Sequence, residues 1–210
     1  IGVDNISENS FSIATDSKDN IYLIGHIESA TDFDPDESTA MVGFAGEMYE
    51  PNFVLAKYSP NKEFVWARIV SCKYISDTAQ DFDNQSFRIA IDGEDNVYVV
   101  GNFRGNVDFD PSENEFFLSN KTEYFRYFLA KYGSNGEFLG AKTIGGSDDL
   151  QIYFGTLSIN IYNNNDVAVA GSFKNSINFD PLRPEFAASS EVWHTFFARY
   201  SPNLDFISAK

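Results

Sequence analysis

Cysteine is almost absent from these 210 residues, histidine nearly so, and no long apolar run occurs. Cys72 is the single cysteine, which excludes an intrachain disulfide and any multi-cysteine metal centre within this sequence. His26 and His194 are isolated from each other and read as ordinary strand and loop residues. No stretch approaches the roughly twenty apolar residues of a membrane-spanning helix, so membrane insertion is not expected. Basic residues are scarce as well. Fifteen Lys and Arg stand against 31 Asp and Glu, and the formal net charge of −16 repels nucleic acid and anionic lipid alike. Also missing are a Gly-x-Ser-x-Gly elbow, a P-loop, a His-x-x-His pair and a dinucleotide fingerprint, which removes the specific arguments for catalysis.

What the chain has instead is repetition. Asp-Phe-Asp-Pro occurs at Asp32 to Pro35 and at Asp108 to Pro111, and Asn-Phe-Asp-Pro at Asn178 to Pro181. Gly25, Gly101 and Gly171 keep the same separations, and Ala-Lys/Arg-Tyr follows at Tyr58, Tyr132 and Tyr200. The spacing slips only between the tetrapeptide and this second landmark, where the first copy carries extra residues around Gly43 to Pro51. Self-similarity at about seventy residues marks a repeat architecture. The copies span about 1–68, 69–143 and 144–210 of what we read as one segment.

Each copy reads as β structure. Ile21 to Ile27, Val97 to Phe103 and Val167 to Phe173 are apolar at consecutive positions, as in strands buried on both faces. Phe11 to Thr15, Phe87 to Ile91 and Leu157 to Ile161 precede them across short Asp/Asn/Gly turns, which tolerate left-handed backbone. A second hairpin follows, its arms ending at Tyr58 and Arg68, Tyr132 and Lys142, and Tyr200 and Lys210. In its connectors Pro sets φ and Asn is available for the left-handed corner. Four antiparallel strands per copy are too many for a leucine-rich or β-helix coil, and helical periodicity is lacking. Radial stacking of such sheets predicts an all-β protein, a β-propeller with three four-stranded blades. A row of independent β-sandwich modules is the competing architecture, but seventy residues with one doubly buried strand is a thin core.

The segment Asp92-Gly-Glu-Asp-Asn-Val-Tyr-Val-Val-Gly101, then Phe128-Leu-Ala-Lys-Tyr132, then Phe138-x-x-Ala-Lys142 and Ile144-Gly145-Gly146, resembles the SBBP-type β-propeller repeat. The resemblance spans the whole chain and implies a module of a large secreted or surface protein of bacteria, of the Bacteroidota kind. Trp66 gives way to Gly140 and Ser208, and Tyr162 stands where the first two turns begin with Asp16 and Asp92. These departures argue against an identical ligand site in each copy. Ile1-Gly2 aligns with Ile144-Gly145, and Ala209-Lys210 stops where another Ile-Gly is expected, so a three-unit window of a longer array is anticipated, with two chains joining into six blades as the lesser option.

The tetrapeptide has two readings. As a calcium loop, Asp32, Asp34, Asp108, Asp110, Asn178 and Asp180 supply hard oxygen ligands. Against it, the third copy begins with Asn178 and no copy shows the later acid of a calcium loop. As a structural bend, Phe anchors the turn, Pro fixes φ, and Asp accepts backbone N–H bonds or meets a cation such as Lys57, Lys131, Arg199, Arg68, Lys142 or Lys210. Asp77, Asp81 and Asp83, like Asp148 and Asp149, read as a solvated rim.

The function expected is a non-enzymatic structural or binding module outside a bacterial cell or on its surface. Its partners would be the remaining blades or domains of a longer chain and an extracellular protein or glycan. Phe44, Met48 and Tyr49 in the long first loop are candidate contacts, unless that loop folds back over the blade edge. The alternatives are a secreted enzyme with an acidic rim acting on a polysaccharide, and a calcium-stabilised propeller that binds carbohydrate or protein.

Overall fold

The computed structural model describes residues 11–27, 31–34, 41–42, 52–73, 86–120, 124–145, 150–152 and 156–210, with side chains at all of them except 41–42, 52 and 71–73. The first copy contains β1 (Ser12–Thr15), β2 (Ile21–Ile27), β3 (Thr31–Asp32), β4 (Met41–Val42), β5 (Asn52–Tyr58) and β6 (Phe64–Lys73). The second contains β7 (Phe87–Ile91), β8 (Val97–Phe103), β9 (Gly105–Asp108), β10 (Phe117–Asn120), β11 (Arg126–Tyr132) and β12 (Phe138–Ile144). In the third are β13 (Gln151–Ile152), β14 (Ser158–Ile161), β15 (Val167–Asn178), a 3-10 turn at Pro184–Phe186, β16 (Ala187–Tyr200) and β17 (Phe206–Ala209).

The protein is all-β, and each copy forms a four-stranded antiparallel meander: β1-β2-β5-β6, β7-β8-β11-β12 and β14-β15-β16-β17. The hairpin turns close as their chemistry requires. Asp16 and Asp92 accept from the backbone two residues on, at Lys18 and Glu94, and from Asn20 and Asn96. Asp19, Asp95 and Asn165 take the left-handed corner with φ near +60°. In the second hairpin the left-handed residues are Lys62, Gly136 and Leu204, one position beyond the Asn expected there.

A smaller hairpin is inserted between the second and third strands of every copy, and the tetrapeptide sits on it. It is β3-β4 in the first copy and β9-β10 in the second. In the third it is the distal part of β15 and β16, where Asn175 to Asn178 face Ser190 to Ala187 after a register shift. This hairpin stitches successive sheets together. β6 pairs Ser71, Cys72 and Lys73 with Asp108, Val107 and Asn106, and Ser71 still faces Asn52 of β5 on its other side. At the next junction the equivalent Gly145 N–H donates to the Asn178 carbonyl at 2.8 Å.

Two buried clusters lie between sheets, and a smaller one, Ile27, Phe33, Val54, Ala56 and Tyr58, lies within the first copy. Tyr22, Ile24, Phe53, Leu55 and Trp66 of the first meet Phe87, Val97, Val99, Phe128 and Ala130 of the second. Tyr98, Val100, Tyr127 and Leu129 of the second meet Leu157, Val167, Val169, Phe196 and Ala198 of the third. A central strand is therefore covered on both faces, and every residue of β8 is buried. Its glycine is occupied space. A methyl on Gly101 would lie 2.6 Å from Phe128 and 2.7 Å from Phe87, the residues directly opposite it on β11 and β7. The space left by the missing side chain is taken chiefly by rings of the same sheet, joined at Gly171 by Tyr127 from the sheet before.

Candidate functional site

The tetrapeptide forms the same corner three times. Its first residue is a backbone acceptor: Oδ1 of Asp32, Asp108 and Asn178 takes the N–H two residues on at 3.0, 3.2 and 2.9 Å. An amide oxygen does this as well as a carboxylate, which is why Asn178 is tolerated. Asp108 Oδ1 also takes the Phe116 N–H at 2.8 Å across the hairpin. Phe33, Phe109 and Phe179 follow, each buried, and Phe109 lies 4.8 Å from the Phe128 ring. Burying such a corner strands a backbone carbonyl. The tyrosine that ends Ala-Lys/Arg-Tyr satisfies it, because the hydroxyls of Tyr58, Tyr132 and Tyr200 donate to the carbonyls of Phe33, Phe109 and Phe179 at 2.8, 3.0 and 3.0 Å. Burial, with Asp34 and Asp32 nearby, pushes the Tyr58 hydroxyl up to about 12. Burial likewise raises the hydroxyls of Tyr132, with Asp110 and Asp108 nearby, and Tyr200, with Asp180 nearby.

The second acid of the motif also turns backbone: Asp110 accepts from Ser112 N and Asp180 from Leu182 N. Asp180 gathers two cations, with Arg183 Nη2 at 2.6 Å and Lys142 Nζ at 3.8 Å. Burial would raise its carboxyl, but Arg183 and Lys142 hold it below the usual carboxylate range. The anticipated repeat of this pair is not what the first junction shows. Arg68, equivalent to Lys142, packs over the Trp66 ring and donates to the Ala67 carbonyl. Lys57 and Arg199 meet turn acids instead, Asp16 at 3.5 Å and Asp166.

A second polar cluster joins adjacent sheets. Tyr22 and Lys57 both reach the Ser134 carbonyl in the next copy, at 3.3 and 3.1 Å, while the Tyr22 hydroxyl contacts Asp16. Tyr98 and Lys131 repeat this on the Pro202 carbonyl, with Asp92 beneath. The cations also lie over the tyrosine rings, Lys57 at 4.8 Å and Lys131 at 5.1 Å. Burial raises the Tyr22 hydroxyl, and the Asp16 charge adds to it. Ala168 occupies this tyrosine position in the third copy. There Arg199 turns to Asp166 and lies over Tyr162. The repeated Tyr and Lys were visible in the sequence as spacing, but their shared acceptor lies 71 to 112 residues on, in another copy.

Among the described residues no three His, Cys, Asp or Glu side chains cluster as metal ligands. A half-open cleft of about 290 Å³ lies beside the third small hairpin, lined by Phe173, Phe179, His194 and Lys210 among others, with no Asp or Glu among the described residues of its wall. His26 is buried in β2, and His194 sits 6.5 Å from Phe173. Phe44, Met48, Tyr49 and the acids at 77, 81, 83, 148 and 149 lie outside the described residues, as does Pro35. No family model matches the chain, and no curated protein matches it.

Proposed function

We propose that the chain is a set of β-propeller blades acting as a non-enzymatic structural or binding module on the surface of, or outside, a bacterial cell. The observation that carries this is where the polar chemistry goes. The repeated acids, tyrosines and lysines close turns and seams within the protein, at Phe33, Phe109, Phe179, Ser134 and Pro202. Radial stacking is supported by the two large buried clusters, which each join one sheet to the next. In this reading the loops carry recognition of an extracellular protein or glycan, and the stitched sheets hold them at fixed spacing.

The test sets retention against turnover. The chain is immobilised and challenged with a panel of surface polysaccharides and extracellular proteins, while the soluble phase is assayed for new reducing ends. Retention without product is expected. Release of product that scales with protein, from any polysaccharide of the panel, overturns the non-enzymatic reading. Failure of every member of the panel to be retained leaves only the spacer role.

A further inference from the structure

Asn135-Gly136 is the one Asn-Gly step in the sequence, and it stands in the turn that joins the second sheet to the first. All three copies place Asn at this point of the second hairpin, at Asn61, Asn135 and Asn203. The next residue is left-handed each time, with φ of +69° at Lys62, +80° at Gly136 and +66° at Leu204. Backbone conformation alone therefore does not impose glycine here. Packing does. A methyl on Gly136 would stand 3.2 Å from the Trp66 ring and 3.1 Å from Arg68, both of the first sheet. At the next junction Gly140 replaces Trp66, and Leu204 fits, its Cδ1 3.5 Å from where a methyl on Gly140 would lie. The bulk that Trp66 brings to the first junction leaves a bare glycine after Asn135.

An asparagine followed by glycine is open to attack on its own side chain, because no Cβ shields the following nitrogen. The Gly136 nitrogen gives up its proton and bonds to Asn135 Cγ, the side-chain amide departs as ammonia, and a cyclic succinimide results. Water then opens the ring at either carbonyl. Opening at Cγ gives aspartate; opening at the main-chain carbonyl gives isoaspartate, in which the chain runs through the β-carbon and is one atom longer. Asn135 is exposed, so water and base reach it. In the closed turn the Gly136 N–H donates to the Gly133 carbonyl at 2.9 Å, while Tyr22 and Lys57 hold the Ser134 carbonyl at 3.3 and 3.1 Å. The attack therefore takes place when the turn opens.

We propose that Asn135 is a deamidation site, and that isoaspartate there unlatches the first sheet from the second. The added backbone atom falls inside the turn closed by the Gly136 to Gly133 bond, just after the Ser134 carbonyl that Tyr22 and Lys57 share. A turn one atom longer no longer sets that carbonyl where the two donors meet it. The change runs one way, since the ring has taken up water and ammonia has left. The seam at the Pro202 carbonyl is spared, because Asn203 is followed by Leu204, whose side chain crowds the attacking nitrogen.

The folded chain, aged at mildly alkaline pH, is digested and read by mass spectrometry, with isoaspartate detected by enzymatic methylation. The Asn135 peptide is expected to gain one mass unit at least tenfold faster than the Asn61 and Asn203 peptides, chiefly as isoaspartate. The aged chain is expected to melt about 2–4 °C lower, the shift that loss of a seam hydrogen bond gives in a domain of this size. Asn135→Ser is expected to keep its own melting temperature through the same ageing. Freshly made Asn135→Asp, which carries the charge without the longer chain, is expected to melt within about a degree of the parent. An Asn135 peptide that stays unmodified, or reacts no faster than the other two, overturns the site. An aged chain that melts like the fresh one, an Asn135→Ser variant that loses as much on ageing as the parent, or an Asn135→Asp variant that melts as low as the aged chain overturns the unlatching.

Discussion

The hydroxyl of Tyr132 donates to the carbonyl of Phe109 at 3.0 Å, joining two residues 23 positions apart that are both buried, at 1% and 0% exposure. Tyr132→Phe removes the donor and keeps the ring, so the Phe109 carbonyl is left buried without a partner. That costs about 1–3 kcal/mol. Melting curves of Tyr132→Phe, Tyr58→Phe and Tyr200→Phe should all fall. A variant whose midpoint matches the parent would show that water reaches the carbonyl.

Gly101→Ala places a methyl 2.6 Å from Phe128 and 2.7 Å from Phe87, rings with no room to retreat in a fully buried strand. Overpacking of this kind costs about 1–3 kcal/mol. Trimming one ring should relieve it. Chemical denaturation of Gly101→Ala, Phe87→Leu and the double variant is expected to give a double-variant loss smaller than the sum.

Asp108→Asn should be nearly silent in stability, within about 0.5 kcal/mol, because Asn178 already performs the same turn with an amide oxygen. Asp108→Ala leaves the N–H groups of Asp110 and Phe116 without their acceptor and should cost about 1–2 kcal/mol by urea denaturation. A loss for Asp108→Asn as large as that for Asp108→Ala would mean that its charge matters. A calcium-dependent melting temperature for the parent, lost in Asp108→Asn, would carry the same meaning.

Stability should fall at both ends of the pH scale for separate reasons. The Tyr58 hydroxyl is raised to about 12 by burial and by Asp34 and Asp32, above the value near 10 of an unfolded tyrosine. Its contribution is therefore complete below pH 10 and is lost as the pH rises through about 12. At the acid end, burial pushes the Asp16 carboxyl up, but hydrogen bonds from Asn20, the backbone and Tyr22 hold it below 3.8. That contribution is present above pH 3.8 and disappears as the pH falls through the lower folded value. Thermal midpoints across both limbs, with phenolate absorbance on the alkaline one, check the two signs.

The strands were legible because their apolar runs recur in phase, and β8 is buried along its whole length as its sequence predicts. Burial of Phe33, Phe109 and Phe179 and the turn role of the acids were legible for the same reason. What escaped was whatever two copies make together. Ser71 pairs with Asp108 across a stretch that carries no pattern of its own, and Lys57 finds Ser134 rather than an acid of the tetrapeptide. Local periodicity reports which side of a strand is wet. It is silent on which carbonyl of a later turn a long side chain will find. Leu204 shows the same limit, holding φ +66° in a turn where Asn203 was the natural choice.

The run of β6 onto β9 has a mechanical side. Ser71 to Lys73 belong to the chain of the first sheet but are bonded into the small hairpin of the second. A pull that peels β6 from β5 must also strip it from β9, so tension applied at one end is handed to the neighbouring sheet before the first has come apart. The array should yield in coupled steps, behaving less like beads on a string than like overlapping shingles, each nailed through the edge of the next.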